Sequence, residues 1–236
     1  MKRTIIVTDL TRFDNQTIVC TAGIDTTTGE CIRPMPYLKS GECKILNLLP
    51  GAILTGDFTP ARNLCGPHQE DNNHTALEFE GPCTSTQFRN ALLKGGFESV
   101  EKGFEITLPP NPEFIPMGHP VRRSIITIRV APRNLEVIED AFKPGKIKLP
   151  FKDGSGHPFG FIGVTDLGFH NYAQEHREAN DLRAVNQLLQ SQLELFLRIG
   201  LSREYKAPDG RTGYWLQVNG IYTFPHYHEG IRRHSN

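Results

Sequence analysis

At 236 residues, with 38% hydrophobic and 22% charged residues, the chain is that of a folded protein of one large or two small domains, not a disordered one. Its formal net charge of zero at pH 7 excludes a globally basic nucleic-acid binder. No apolar run approaches the ~20 residues that a membrane helix needs.

The charge is uneven along the chain. Residues 1–118 hold ten basic against fourteen acidic side chains, and residues 119–236 hold sixteen against twelve, so an electrostatic footprint belongs on the C-terminal half. Cys20, Cys31, Cys43, Cys65 and Cys83 are odd in number and lack C-x-x-C spacing. That argues against a disulfide framework or a zinc ribbon and for free thiols in a reducing, cytoplasmic compartment. The opening stretch has only a short apolar run ending at Asp9, so no secretory signal is expected.

In chain order, residues 5–10 read as a first strand, Asp14-Asn15 as a turn, and residues 17–24 as a second strand. Thr28-Gly29 turns into residues 30–34, where Pro34 and Pro36 end the strand or put it at an edge. Residues 45–49 and 52–58 form another strand pair around Pro50-Gly51. Residues 60–73 are a polar loop. Residues 84–93 read as a short helix with Thr84 or Ser85 as N-cap, stopped by Gly95-Gly96. Residues 108–120 hold five prolines and no regular period, which sets the division at 1–115 and 116–236. The second part has strands at 122–130, 135–138, 146–149 and 159–164. Its best helix is 181–189, capped by Asn180 or beginning near Asn171.

The chain closes on a β-hairpin. Leu193, Leu195, Leu197, Ile199 and Leu201 alternate, Ala207-Pro208-Asp209-Gly210 supplies turn chemistry, and Leu216, Val218 and Tyr222 share one face of the return strand. The opposite face carries Arg198, Trp215, Gln217 and Asn219, with Arg203 close by. Rings on which bases stack, beside arginines that pair with phosphate, suit a nucleic-acid surface, although on these residues alone the favoured reading is that Trp215 caps the barrel and Gln217 and Asn219 are solvated strand residues. The fold expected is mainly β with minor α: two OB-like small β-barrels in tandem, or one larger β-sandwich.

Arg33 sits before a strand-ending proline and is held extended, able to face a phosphate, a carboxylate or a base edge, or to pair with an internal Asp or Glu. His68-Gln69-Glu70-Asp71-Asn72-Asn73-His74 groups carboxylates, amides and imidazoles, either as a surface turn or with Glu70 as a general base. His226, His228 and His234 form a terminal histidine group. No nucleotide-binding loop, H-E-x-x-H or G-x-S-x-G occurs, so no catalytic residue, metal or cofactor is assigned.

The run Val19-Cys20-Thr21-Ala22-Gly23-Ile24-Asp25 followed by Ile32-Arg33-Pro34 resembles the opening of the prokaryotic dual OB-containing domain proteins, of pattern C-x-A-G-x-D then W-I-R-P. Pro67 to Asn72 is similar to the family's P-x-x-Q-x-E-N segment, with Asp71 intruding, and 197–203 with 214–222 look like its closing hairpin. Cys31 stands where tryptophan is commoner. The resemblance implies two OB-like barrels and nucleic-acid binding linked to mobile elements or defence. It carries over Arg33, Gln69, Glu70, Asn72, Arg203 and Trp215 as contacts. The function expected is single-stranded DNA or RNA binding. The alternatives are an enzyme using His68, Glu70 and Arg33 in a cleft between the barrels, and a protein-binding adaptor.

Overall fold

The computed structural model describes residues 2–13, 15–62, 64, 66–227, 230–232 and 234. Asp14 of the expected first turn, Cys65 and His228 lie outside the described residues.

The first half carries β1 (Lys2–Thr11), β2 (Ile18–Asp25), β3 (Cys31–Met35), β4 (Leu38–Lys39), α1 (Ser40–Ile45), β5 (Ala52–Pro60) and β6 (Asp71–Pro82). β1 pairs antiparallel with β2 and β5, β2 with β3, and β5 with β6, while β3 runs parallel to β6. Leaving aside the two-residue β4, which pairs antiparallel with the start of β2, these pairings close a ring in the order first, second, third, fifth, fourth and back to first. Closure removes the open edges that would leave backbone N–H and C=O groups unpaired. Ile5 and Val7, two apart on β1, point inward with Val19, Ile32, Leu54 and Phe58.

The connecting stretch holds α2 (Ser85–Lys94), β7 (Gly96–Phe97), α3 (Val100–Phe104) and β8 (Phe114–Pro116). The second half holds β9 (Ile125–Val130), β10 (Ile138–Glu139), β11 (Ile147–Lys148), β12 (Phe151–Lys152), β13 (Pro158–Phe159) and β14 (Gly163–Val164). α4 (Leu167–Glu178), α5 (Leu182–Gln190), β15 (Glu194–Leu201), β16 (Tyr205–Lys206) and β17 (Thr212–Phe224) complete it. β10 pairs with β11, β11 with β14, β17 with β15 and β15 with β9, all antiparallel, and β14 runs parallel to β17. Taking β9 and β10 as one bent strand, the order is again first, second, third, fifth, fourth, first. In each half the helical segment falls between the third and fourth strands. The chain is therefore mainly β, built as two five-stranded Greek-key barrels of OB type in tandem. β7 and β8 pair with β9 and β17, so residues 96–97 and 114–116 already belong to the second sheet.

Three local expectations change. Residues 45–49 are not a strand: α1 ends at Ile45, and of this apolar run only Leu48 is buried in the first core, while Ile45 is 85% and Leu46 49% exposed. The stretch expected to be a polar loop gives way at Asp71 to the twelve-residue β6, where Leu77 and Phe79 alternate with Glu78 and Glu80. α4 precedes α5, and the cap of α5 is Asp181 rather than Asn180.

The barrels meet along a third apolar cluster. Ile6 and Ile24, on the outer face of the first barrel, pack with Phe88, Ala91 and Leu92 of α2 and with Phe196, Tyr222 and Phe224 of the second. Fully burying a large apolar side chain there contributes about 1.5–3 kcal/mol. The face of β15 that carries Phe196 and Arg198 is consequently covered, not open to solvent as expected, and Arg198 is 1% exposed. A bulge compounds the change. Arg198 pairs with Gly220 and Ile199 with Val218, so Asn219 is extra and the side-chain parity of β17 reverses beyond it. Tyr222 therefore faces the first barrel, while Leu216 and Val218 face the second barrel's own core.

Candidate functional site

A cleft of about 880 Å³ opens between the barrels. Its walls come from the same parts of each. The first barrel contributes Arg12 and Phe13 after β1, Arg33 on β3, Tyr37 beyond it, and His68 in the β5–β6 loop. The second contributes Phe142 and Lys143 in the β10–β11 loop, Lys148 on β11, Arg203 and Tyr205 after β15, and Trp215 and Gln217 on β17. In OB barrels the face of strands 2 and 3, with the loops joining strands 1–2 and 4–5, is where oligonucleotides and oligosaccharides bind. Here those elements of both barrels border one cavity.

Trp215 is half-buried and stacks on Phe114, with ring centroids 5.0 Å apart and planes at 24°. Tyr205 meets it edge-on at 6.3 Å, and the Arg211 guanidinium lies 4.9 Å from its centroid. Arg211 is also tied to Glu113 at 2.6 Å and Asp209 at 2.8 Å, which fixes the stack and neutralises its charge. The indole Nε1 is buried and makes no hydrogen bond. On the first barrel, Phe13 and Tyr37 form a second ring pair at 5.0 Å.

Arg12 supplies positive charge. Its Nη1 lies 2.6 Å from His170 Nε2. Arginine can only donate, so that imidazole nitrogen accepts and His170 is neutral. Burial first, and the Arg12 charge second, push His170 down to about 4. Among the described residues no carboxylate pairs with Arg12. Arg203, 43% exposed, donates to Asp71 Oδ2 at 2.7 Å and to the Tyr37 hydroxyl at 3.1 Å.

Beneath the cleft lies a buried polar seam. Arg33 donates to Asp71 at 2.5 Å and pairs with Glu70 at 3.0 Å; Glu70 accepts from the Ser124 hydroxyl and, at 3.3 Å, from its backbone N–H. Ser124 belongs to the second barrel, so Arg33 and Glu70 tie the barrels together. His68, 3% exposed, stands beside them with neither ring nitrogen hydrogen-bonded. Its burial, with the charges of Arg203 and Arg33, pushes it down to about 3. Arg198 donates through Nε and Nη2 to Asp9 Oδ2 at 2.9 and 2.7 Å and through Nη1 to Thr127 at 2.8 Å.

The expected site residues thus divide. Arg203, Trp215 and Gln217 are brought to the cleft, with Arg33 in its floor. Gln69, Glu70, Asn72 and Arg198 line a separate groove of about 620 Å³ with Arg122 and Phe97. Gln69 is exposed and donates to the Gly66 carbonyl at 2.8 Å; Asn72 is buried and donates to the Glu70 carbonyl at 2.8 Å. Among the described residues no three His, Cys, Asp or Glu side chains group as metal ligands, and no helix is long and apolar enough to cross a membrane. The sequence reading overlooked Arg12, Phe13, Tyr37, Tyr205, Arg211 and Phe142. Phe142 had a signal: it is a lone aromatic in a charged stretch with no apolar period.

No family model matches the chain, and no curated protein matches it. Among solved structures, the chain is similar to the Ifi202 HINa domain in its crystal structure in complex with 20 bp double-stranded DNA. The identity is 11% and the TM-score 0.35, over 94% of each chain. The fold assignment above rests on the strand pairing.

Proposed function

We propose that this protein binds single-stranded nucleic acid in the cleft between its barrels. The observation that carries the reading is that the binding elements of both OB barrels border one cavity furnished with stacked rings and guanidinium groups. Bases stack on the Trp215–Phe114 platform, and phosphates meet Arg12 and Arg203. Arg33, Glu70 and Arg198 hold the barrels in register rather than touch ligand. That the chain is one of the prokaryotic dual OB-containing domain proteins, acting in a defence setting, is proposed on the sequence resemblance alone.

Trp215 is the only tryptophan, so its fluorescence reports directly on the cleft. Titration with dT12 or rU12 is expected to quench it. The logarithm of the binding constant should fall against the logarithm of salt concentration with a slope of about −0.7 per phosphate contacted. Unchanged fluorescence and no affinity for either oligonucleotide at low salt would sink the reading.

A further inference from the structure

The cleft has a second aromatic station on the second barrel. Phe142, 83% exposed, and Phe161, 44% exposed, hold their ring centroids 6.2 Å apart. Neither ring serves a core. Phe142 is nonetheless held in place. Asp140 Oδ1 accepts from the backbone N–H of Phe142 at 2.8 Å and of Lys143 at 3.2 Å. Glu139 Oε1 accepts from the Gly145 N–H at 2.6 Å, and Gly145 takes the positive φ of 86° that closes the turn. A turn stapled in this way keeps a large apolar ring facing solvent, an arrangement that has a cost in water and points to an occupant.

The charges beside the pair identify the occupant. Lys143 makes no ion pair among the described residues. Lys148 donates to the Phe161 carbonyl at 3.2 Å and lies 3.8 Å from Asp140. Rings flanked by ammonium groups suit a base followed by its phosphate. The station, in the β10–β11 loop and just before β14, and the Trp215 platform, on β17, border the same cavity.

We infer that the cleft takes an extended single-stranded oligonucleotide, of which a mononucleotide fills only the Trp215 part: one base stacks at Trp215, another at Phe142–Phe161, and Lys143 meets the phosphate beside the second station. This rests on the nucleic-acid reading of the cleft given above.

The test compares dTMP and dT12, with rU12 as the RNA arm, on the wild-type chain and on Phe142→Ala, Phe142→Tyr and Trp215→Ala, by fluorescence anisotropy and competition. Phe142 is exposed, so its removal leaves the fold intact. Phe142→Ala is expected to weaken dT12 and rU12 roughly tenfold and leave dTMP unchanged, with Phe142→Tyr restoring the affinity. Trp215→Ala is expected to weaken all three. Equal dT12 affinity in Phe142→Ala and wild type, with Trp215→Ala weakened, would overturn the extended site and leave the nucleic-acid reading standing. No binding of any probe by the wild type would overturn both.

Discussion

His68 shows how much a single side chain can carry in this protein. Its ring is nearly inaccessible, lacks a hydrogen bond and faces two guanidinium groups, so the folded state keeps it neutral down to about pH 3. In the unfolded chain it takes up a proton near 6.5. Between those values the unfolded state binds more protons, and stability falls as the pH falls. His170, pushed down to about 4, acts in the same sense. Asp166 acts oppositely: burial raises it to about 7, so its contribution is present at low pH and lost as the pH rises through that value. The difference between wild type and His68→Gln isolates the first effect. Urea melts at pH 7 and pH 5 are expected to show the wild type losing on the order of 1–2 kcal/mol more than His68→Gln over that interval. Equal losses would mean that the ring is protonated in the folded state. None of this was legible in the sequence, where His68 sits in a polar run that reads equally well as a solvated turn. Its burial comes from a second barrel more than a hundred residues away in the chain.

At the scale of the element, α2 was the most legible. Thr84 accepts from the Gln87 N–H, and the Gln87 side chain accepts from the Thr84 N–H, a capping box set by local spacing alone. Thr84→Ala is expected to cost about 1 kcal/mol, a fall in Tm of roughly 2–4 °C on a thermal melt. The cost should reach both barrels, because Phe88 and Leu92 of α2 sit in the cluster between them. β15 and β17 were legible as a hairpin for the same reason: alternation and turn chemistry are local. Their faces were only half legible. Alternation separates the two sides of a strand but does not say which side meets solvent, and the bulge at Asn219 reverses the parity midway along β17. β6 was overlooked because it opens on the polar run Asp71 to His74; backbone pairing with β3 and β5, with Leu77 and Phe79 packed against the first core, makes it a strand.

For the whole molecule, the apolar cluster and the polar seam join two barrels that each close their own sheet. Asp9 and Arg198 lie at the centre of that joint, buried and hydrogen-bonded to each other. Asp9→Ala would leave a guanidinium in the interior without a carboxylate, and a loss of about 3–5 kcal/mol is expected. Since the pair spans the barrels, Trp215 fluorescence, which reports the second, and far-UV circular dichroism, which reports both, should shift together to lower urea in a single transition. Separate midpoints would show barrels that unfold independently. The local sequence, by itself, determined the strand-rich composition of each half, the cap of α2 and the closing hairpin, because these follow from residue spacing and backbone preference over a few positions. The tertiary structure alone decided that Arg33, Glu70 and Arg198 are internal struts while Arg12, Arg203, Trp215 and Phe142 border the cleft. An arginine's environment depends on what packs over it, and here that partner is the other barrel.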